Sequence, residues 1–555
     1  MVALIKLAYF IVLLGGLVFF HELGHFIAAK LCNVKVLKFS LGFGPRIWGF
    51  KRGETEYQIA ALPLGGYVRM LGEDPTVELA PEDRKRGFAT QKPHRRAFIA
   101  SAGPLMNLLL PPIVLFGLAL TPQLQDPPVV ALVLPNEPAD RAGVEPRDRI
   151  ISVDGVPTRS FEEMRENIEA HAGQPVDIVV LRNGQQKSLH LTPTAETERS
   201  PIETTQKGKI GIMSGKPPSY VGVVPGSRAA QAGLQTFDRV IGVNGQKLAT
   251  LVDLDDAVKK AGEHSAVTFQ VMRSKTVDLK TSSISTGDIL TINVPAGDGP
   301  LGLDSPDLYV REVSPDLPAA LAGLKPLDKI VSIDGTPVFS VMRFQAISDT
   351  AFDRQTKNKE KHALTIQVDR AGQRLTLSFA VNDVTRKDPL LGPITEPDVG
   401  FRFHPGIYVQ EPFSPSERVL VSYTPAQAMS RALRQTYTMT RGMLLGIGAI
   451  FTGRVSTANI GGPIMLYQLS STYSEQGLTA FLTLFVLISI NLGLMNLLPV
   501  PVLDGFHIVL AAVEGISRRA VSLRVREVAN YVGLAMLLAL MGLAFKNDIW
   551  RQLGW

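Results

Sequence analysis

Hydrophobic positions along the chain fall into four long runs, at about residues 4–31, 97–120, 478–498 and 528–545. Each run is close to or beyond the roughly 20 apolar residues that a helix needs to cross a bilayer, so each is predicted to be a membrane-spanning helix. Between residues 127 and 382 the pattern changes to short alternations of apolar and polar residues broken by turn pairs. That is the pattern of half-buried strands in a water-exposed region. Further on, residues 425–441 have the one-sided pattern of an amphipathic helix, and residues 442–452 form an apolar run too short to span. Both are expected at the membrane surface.

Basic residues orient the runs. Lys35, Lys38, Lys51, Arg52, Arg69, Arg84, Arg95 and Arg96 lie between the first two, and Arg518, Arg519, Arg524 and Arg526 between the last two. The positive-inside rule puts both loops in the cytoplasm, which leaves the two chain ends and the strand-rich region outside. The first run, with Lys6 ahead of it, could be taken for a secretory signal, but it lacks a small-residue cleavage site and is expected to stay as a span. In the first basic loop, residues 59–68 are apolar but too short to cross. Residues 57–64 and 67–71 are predicted as strands around Gly65 and Gly66, with an edge to which an unwound peptide can add; the alternative is a loop resting on the membrane. The second run contains Pro104, expected to kink it, and Asn107, expected to make a structural hydrogen bond within the bundle.

The strand-rich region repeats itself. PADRAGVEPRDRIISVDG from Pro138, SRAAQAGLQTFDRVIGVNG from Ser227 and PAALAGLKPLDKIVSIDG from Pro318 set their central glycines, Gly143, Gly233 and Gly323, 90 residues apart. Each copy is a short Ala-rich helix ended by that glycine, an acid (Asp148, Asp238 or Asp328), an alternating strand and a turn pair. The turn pairs are Asp154-Gly155, Asn244-Gly245 and Asp334-Gly335. This resembles the PDZ domain of the bacterial, permuted kind, which implies binding of peptide ends at an exposed sheet edge. Ile210-Gly211-Ile212 and Leu301-Gly302-Leu303 match that family's carboxylate-binding loop, and no such loop precedes the first copy. Copies that bind nothing would act as spacers restricting access by size.

At 555 residues the chain is too long for a single core. A net charge of +6 raises the question of nucleic acid, but the basic residues flank the apolar runs and act as topology signals, so no nucleic-acid partner is expected. With Cys32 as the one cysteine, a disulfide framework and a multi-cysteine metal site are excluded.

The first run carries His21-Glu22-Leu23-Gly24-His25. On a helix the two histidines stand at i and i+4, on one face, where they can share a metal ion while Glu22 takes a proton from water. Ionisable side chains in so apolar a segment are costly in lipid and are expected to face a cavity and to serve a function. A catalytic zinc site takes three protein ligands, so a third must come from elsewhere. The candidates near apolar segments are Glu73, Asp74, His94, Asp504, His507 and Glu514. Topology favours Asp504, because the cytoplasmic ends of the first and third runs lie at one depth.

HELGH in the first run, the PDZ-like array between the second and third, and NLLPVPVLDG at the end of the third together resemble the site-2 protease family of intramembrane zinc metalloproteases. The resemblance covers essentially the whole chain. It implies one zinc ion per chain held by His21, His25 and Asp504, with Glu22 as general base. It also implies that Asn496 and Pro499 help to place the substrate, and that Gly65 and Gly66 belong to a membrane-associated strand that engages it. The implied reaction is hydrolysis within the transmembrane segment of a single-span protein, such as an anti-sigma factor or a remnant signal peptide, in regulated intramembrane proteolysis at a bacterial inner membrane. Phe506 departs from the family's usual second glycine, and three PDZ-like copies replace one or two.

The expected architecture is a multi-domain membrane protein, an α-helical core of about four spans with three inserted α+β PDZ-like domains. Residues 1–126 hold the first two spans and the cytoplasmic membrane-associated loop; residues 127–207, 208–298 and 299–404 hold the PDZ-like domains. Residues 405–475 form the interfacial segment and residues 476–555 the last two spans. The rival reading is a non-enzymatic membrane scaffold whose PDZ array captures peptide ends.

Overall fold

A computed structural model describes the chain except for residues 1, 74–78, 200–202, 280–281, 359–362, 389–391, 405, 407, 409–410, 454, 456 and 554–555. Among the described residues, four helices are long and apolar enough to cross a membrane, over Leu4–Leu31, Pro93–Leu120, Leu478–Asn496 and Leu523–Leu553. The first belongs to α1 (Val2–Leu31) and the second is α2 (Pro93–Leu120), which starts on a proline whose missing N–H costs nothing in the first turn. α2 packs against α1 at a contact of small residues: a Cβ on Gly24 would stand 2.2 Å from the Ala102 carbonyl oxygen. Leu13, Leu17, Leu110, Phe481 and Leu484 form a buried core between the helices.

Residues 425–451, expected as two surface segments, form one helix, α3 (Pro425–Phe451). Thr424 caps it by accepting from the Gln427 N–H, and the Gln427 side chain accepts from the Thr424 N–H. Ala428 and Ala432, one turn apart, are buried, and Met439, Met443 and Ile447 pack on Val486 and Ile490. The small residues let α3 lie close along the bundle, which the amphipathic pattern alone did not indicate. α4 (Pro463–Glu475), α5 (Leu478–Asn496), α6 (Asp504–Ser517) and α7 (Leu523–Leu553) complete the helical part.

Between α1 and α2 a hairpin of β1 (Val36–Arg52) and β2 (Thr55–Met70) folds back on itself. Residues 38–41 of β1 pair on one side with residues 56–59 and on the other with residues 66–69. Gly42, Gly44 and Gly65, all at positive φ, permit the bends. Residues 66–70 thus form an edge strand, and Gly66 sits where a Cβ would stand 2.8 Å from Val18 and 3.1 Å from Glu22.

The three repeats form three sheets of identical order. In the first, Arg149–Val153 pairs with Val156–Pro157 and with Val176–Arg182, which pairs with Gln185–Leu191. The equivalents centre on Arg239–Val243 and Lys329–Ile333. Each turn pair has both residues at positive φ, 48° and 74° for Asp154 and Gly155, as a type I′ turn requires. Each repeat acid is buried and ion-paired with an arginine that also donates to a helix-ending glycine carbonyl: Asp148 with Arg182, Asp238 with Arg273, Asp328 with Arg370.

The glycine loops belong to the repeat before them. Leu134 N–H donates to Gly211 O, Val224 N–H to Gly302 O and Ser314 N–H to Gly400 O, at 2.8, 2.9 and 2.9 Å. Every unit therefore has its loop, the first included. The boundaries expected at residues 207 and 298 move to follow Met213 and Asp304, whose strands pair with Leu132–Val133 and Gly222–Val223. The reason is the permutation: the last strand of each unit closes on its first. The chain enters and leaves the array through one two-stranded ladder, Gln123–Gln125 with Val419–Val421.

Candidate metal centre

His21 and His25 lie on one face of α1, and Asp504 opens α6, directed at them by the turn that follows α5. That turn is tight: Val502 has φ 81°, a costly conformation for a β-branched residue, and a Cβ on Gly505 would stand 2.2 Å from the Leu498 carbonyl oxygen. Gly505 is thus the position that demands a glycine. Phe506, the departure from the family pattern, turns its ring toward His507 with centroids 6.3 Å apart.

Three donor atoms converge. His21 Nε2 is 3.1 Å and His25 Nε2 is 3.4 Å from Asp504 Oδ2, and the two Nε2 atoms are 3.2 Å apart. A tetrahedral zinc site with bonds of about 2.0–2.2 Å sets its ligand atoms about 3.3–3.6 Å apart, so the three fit one ion. The second nitrogen of each ring is also engaged. His25 Nδ1 donates to the Ile99 carbonyl oxygen at 2.8 Å, which leaves Nε2 as the lone-pair nitrogen. His21 Nδ1 lies 3.2 Å from the Asn107 side-chain amide, whose Oδ1 is buried without a partner among the described residues. The two ends of an amide have the same shape, and with Oδ1 toward the ring it accepts from His21 Nδ1–H and frees Nε2 in the same way. Asn107 is therefore a partner of His21 in the donor cluster, where the sequence favoured a structural bond within the bundle over a role near the metal. Ser489 Oγ donates to the Asn107 carbonyl oxygen at 2.7 Å and fixes α2 against α5 at this level.

A cavity of about 270 Å³ opens on the three donors and on Glu22, which also meets the backbone N–H of Val68 in the edge strand. Of the other candidate ligands, Glu73 and His507 line the same cavity. Glu514 is committed to Arg96 and Arg526, His94 is exposed, and Asp74 lies outside the described residues. Asn496 closes α5 half-buried and Pro499 is exposed in the following turn; neither lines the cavity. Gly66 packs against α1 beside Glu22, and Gly65 precedes it at the bend.

Helices of membrane-spanning length around a two-histidine, one-aspartate cluster define a membrane metalloenzyme. A model of peptidase family M50 matches residues 9–540, and the chain belongs to that family, the site-2 proteases. It is a zinc metalloprotease. It is 28% identical over 544 residues to a Neisseria meningitidis protein named for zinc metalloprotease activity, with 97% of each chain covered. It is 29% identical over 557 residues to protease RseP of Yersinia pestis and 27% identical over 554 residues to regulator of sigma-E protease RseP of Escherichia coli, with 98% of each chain covered in both comparisons. A solved PDZ domain protein from Parabacteroides distasonis aligns with 52% of this chain and 98% of its own at 11% identity and a TM-score of 0.13, an overlap too low to bear on the fold.

Proposed function

We propose that the chain hydrolyses peptide bonds in the transmembrane segments of single-span proteins, anti-sigma factors or remnant signal peptides among them, in regulated intramembrane proteolysis. The observation that carries this reading is the convergence of His21, His25 and Asp504 beside Glu22 and an edge strand, within the helical bundle. One zinc ion per chain supplies Lewis-acid polarisation of the scissile carbonyl and acidifies the attacking water. Glu22 takes the proton from that water as the C–O bond forms and then delivers it to the leaving nitrogen as the C–N bond breaks. Ile99 and Asn107 keep the imidazoles in the tautomer that faces the ion.

A substrate helix hides its carbonyls in its own hydrogen bonds and must unwind before it can be cut. Residues 66–70 offer an edge to which the unwound segment adds, with Gly65 and Gly66 allowing close approach. Asn496 and Pro499 position the segment from the end of α5. Ile47, Trp48 and Phe50 are exposed on the outer half of the hairpin and support its contact with lipid. Three PDZ-like domains stand outside a bacterial inner membrane, read peptide ends or hold back intact ectodomains, and leave both termini outside and the site near the cytoplasmic face.

Metal analysis of purified full-length protein tests the site. About one zinc per chain is expected, lost in Asp504→Ala while helical content is retained. Zinc kept at full occupancy in that variant contradicts the assignment.

A further inference from the structure

Two arginines share the cavity with the donor cluster without helping to hold it. Arg96 lies in the first turn of α2 and Arg526 in the first turn of α7, and both line the cavity. Glu514, near the end of α6, pairs with Arg96 through one carboxylate oxygen and with Arg526 through the other, and it also accepts the Val521 N–H at 3.0 Å. Its side chain is 4% exposed, against 14% for Arg96 and 23% for Arg526. One carboxylate against two guanidinium groups leaves an excess positive charge on this wall. Each arginine also has its Nε buried without a partner among the described residues. Arg carries five N–H donors and stays charged, so a wall built this way suits an anion with planar, paired oxygens. The cavity lining also carries the acids Glu22, Glu73 and Asp504.

Hydrolysis creates such an anion. The carbonyl carbon of the cut bond gains an oxygen from water and becomes a carboxylate, while the nitrogen leaves as an amine with the proton. We infer that Arg96 and Arg526, held by Glu514, form a carboxylate subsite that receives the new C-terminus of the cleaved segment. This rests on the proteolytic reading given above. Both arginines belong to the basic flanks that the positive-inside rule puts in the cytoplasm. A substrate with its N-terminus in the cytoplasm carries the new carboxylate on its cytoplasmic fragment, on that same side. A second source of the same chemistry is an Asp or Glu side chain of the intact substrate next to the cut.

Binding to full-length Glu22→Gln protein in detergent separates these possibilities. The probes are a labelled peptide ending at the mapped cleavage position with a free carboxylate, the same peptide as its C-terminal amide, and an amide peptide with aspartate at its last position. The free acid is expected to bind at least about 10-fold more tightly than the amide, since hydrogen bonds to charged groups are the strong ones. Arg96→Gln and Arg526→Gln should each reduce that preference severalfold with zinc content unchanged, and Arg→Lys at either position should keep part of it. An aspartyl amide that matches the acid supports the subsite and assigns it to a substrate side chain. Equal binding of acid and amide, which needs no arginine variant to observe, overturns the inference. So does a preference that survives both Gln substitutions, because the metal then takes the carboxylate. Cleavage by the wild-type protein is scored separately: its absence removes the proteolytic reading, whereas cleavage with equal binding of acid and amide removes the subsite alone.

Discussion

A Cβ placed on Gly103 would stand 2.3 Å from Nε2 of His25, the atom that faces the other donors. The second helix is thus in contact with a histidine of the donor cluster and leaves no room for a side chain. Gly103→Ala is expected to push the ring out of register and lower zinc affinity by about 10- to 100-fold, the usual cost of losing support around a ligand. Zinc titration of the purified variant, with circular dichroism to confirm its helices, checks this; wild-type affinity would show that α2 gives way freely.

Asn107→Ala separates ring orientation from helix packing. The bond from Ser489 goes to the Asn107 backbone carbonyl and survives the substitution, so α2 and α5 should stay together. Zinc affinity should again fall by about 10- to 100-fold, while Asn107→Asp, which keeps an acceptor for His21 Nδ1, should lose less. Equal losses in the two variants would mean that the amide does not set the tautomer.

The repeated ion pairs hold the array together. The Asp238 side chain is 2% exposed, and removing it in Asp238→Ala leaves Arg273 unpaired, at a cost of about 3 kcal/mol to the second unit. Hydrogen exchange on the full chain should show Arg239–Val243 and its neighbours losing protection, with zinc content unaffected. Unchanged protection would reduce the pair to a surface contact.

Asp307 makes the third unit sensitive to pH. It is 4% exposed, and burial pushes its carboxyl up to about 6 against the bonds from Tyr408 and the Val341 N–H. The folded state holds the proton more tightly than the unfolded chain. The stabilisation is therefore complete below about pH 4 and is lost as pH rises through about 6, in total about 3 kcal/mol. Exchange protection of Lys329–Ile333, corrected for intrinsic rates, should be higher at pH 4.5 than at pH 7 in the wild type. In Asp307→Asn that dependence should flatten; an unaltered profile would place the titrating group elsewhere.

What could be read in the sequence follows from what each feature depends on. The four spans and the turn pairs are local: bilayer thickness sets one, and positive φ at Asp154-Gly155 and its equivalents sets the other. The convergence of Asp504 on HELGH was legible because the positive-inside rule, applied to the two basic loops, predicts one depth for both. Pairing partners were not. Ile210-Gly211-Ile212 alternates equally well as the start of one unit or the end of another, and backbone pairing with Leu132–Val133 decides it. β1 went unseen because Phe43, Ile47, Trp48 and Phe50 are spread among glycines and charges and are exposed. Arg96 and Glu514 are 418 positions apart, and nothing local links them.

In the proposed mechanism Glu22 moves the proton while the two histidines and Asp504 hold the metal. Zinc content and cleavage of a model single-span substrate, measured together on full-length Glu22→Gln protein, test it most directly. About one zinc per chain is expected, as in the wild type, with cleavage reduced at least about 100-fold. Undiminished cleavage at full zinc occupancy would contradict it.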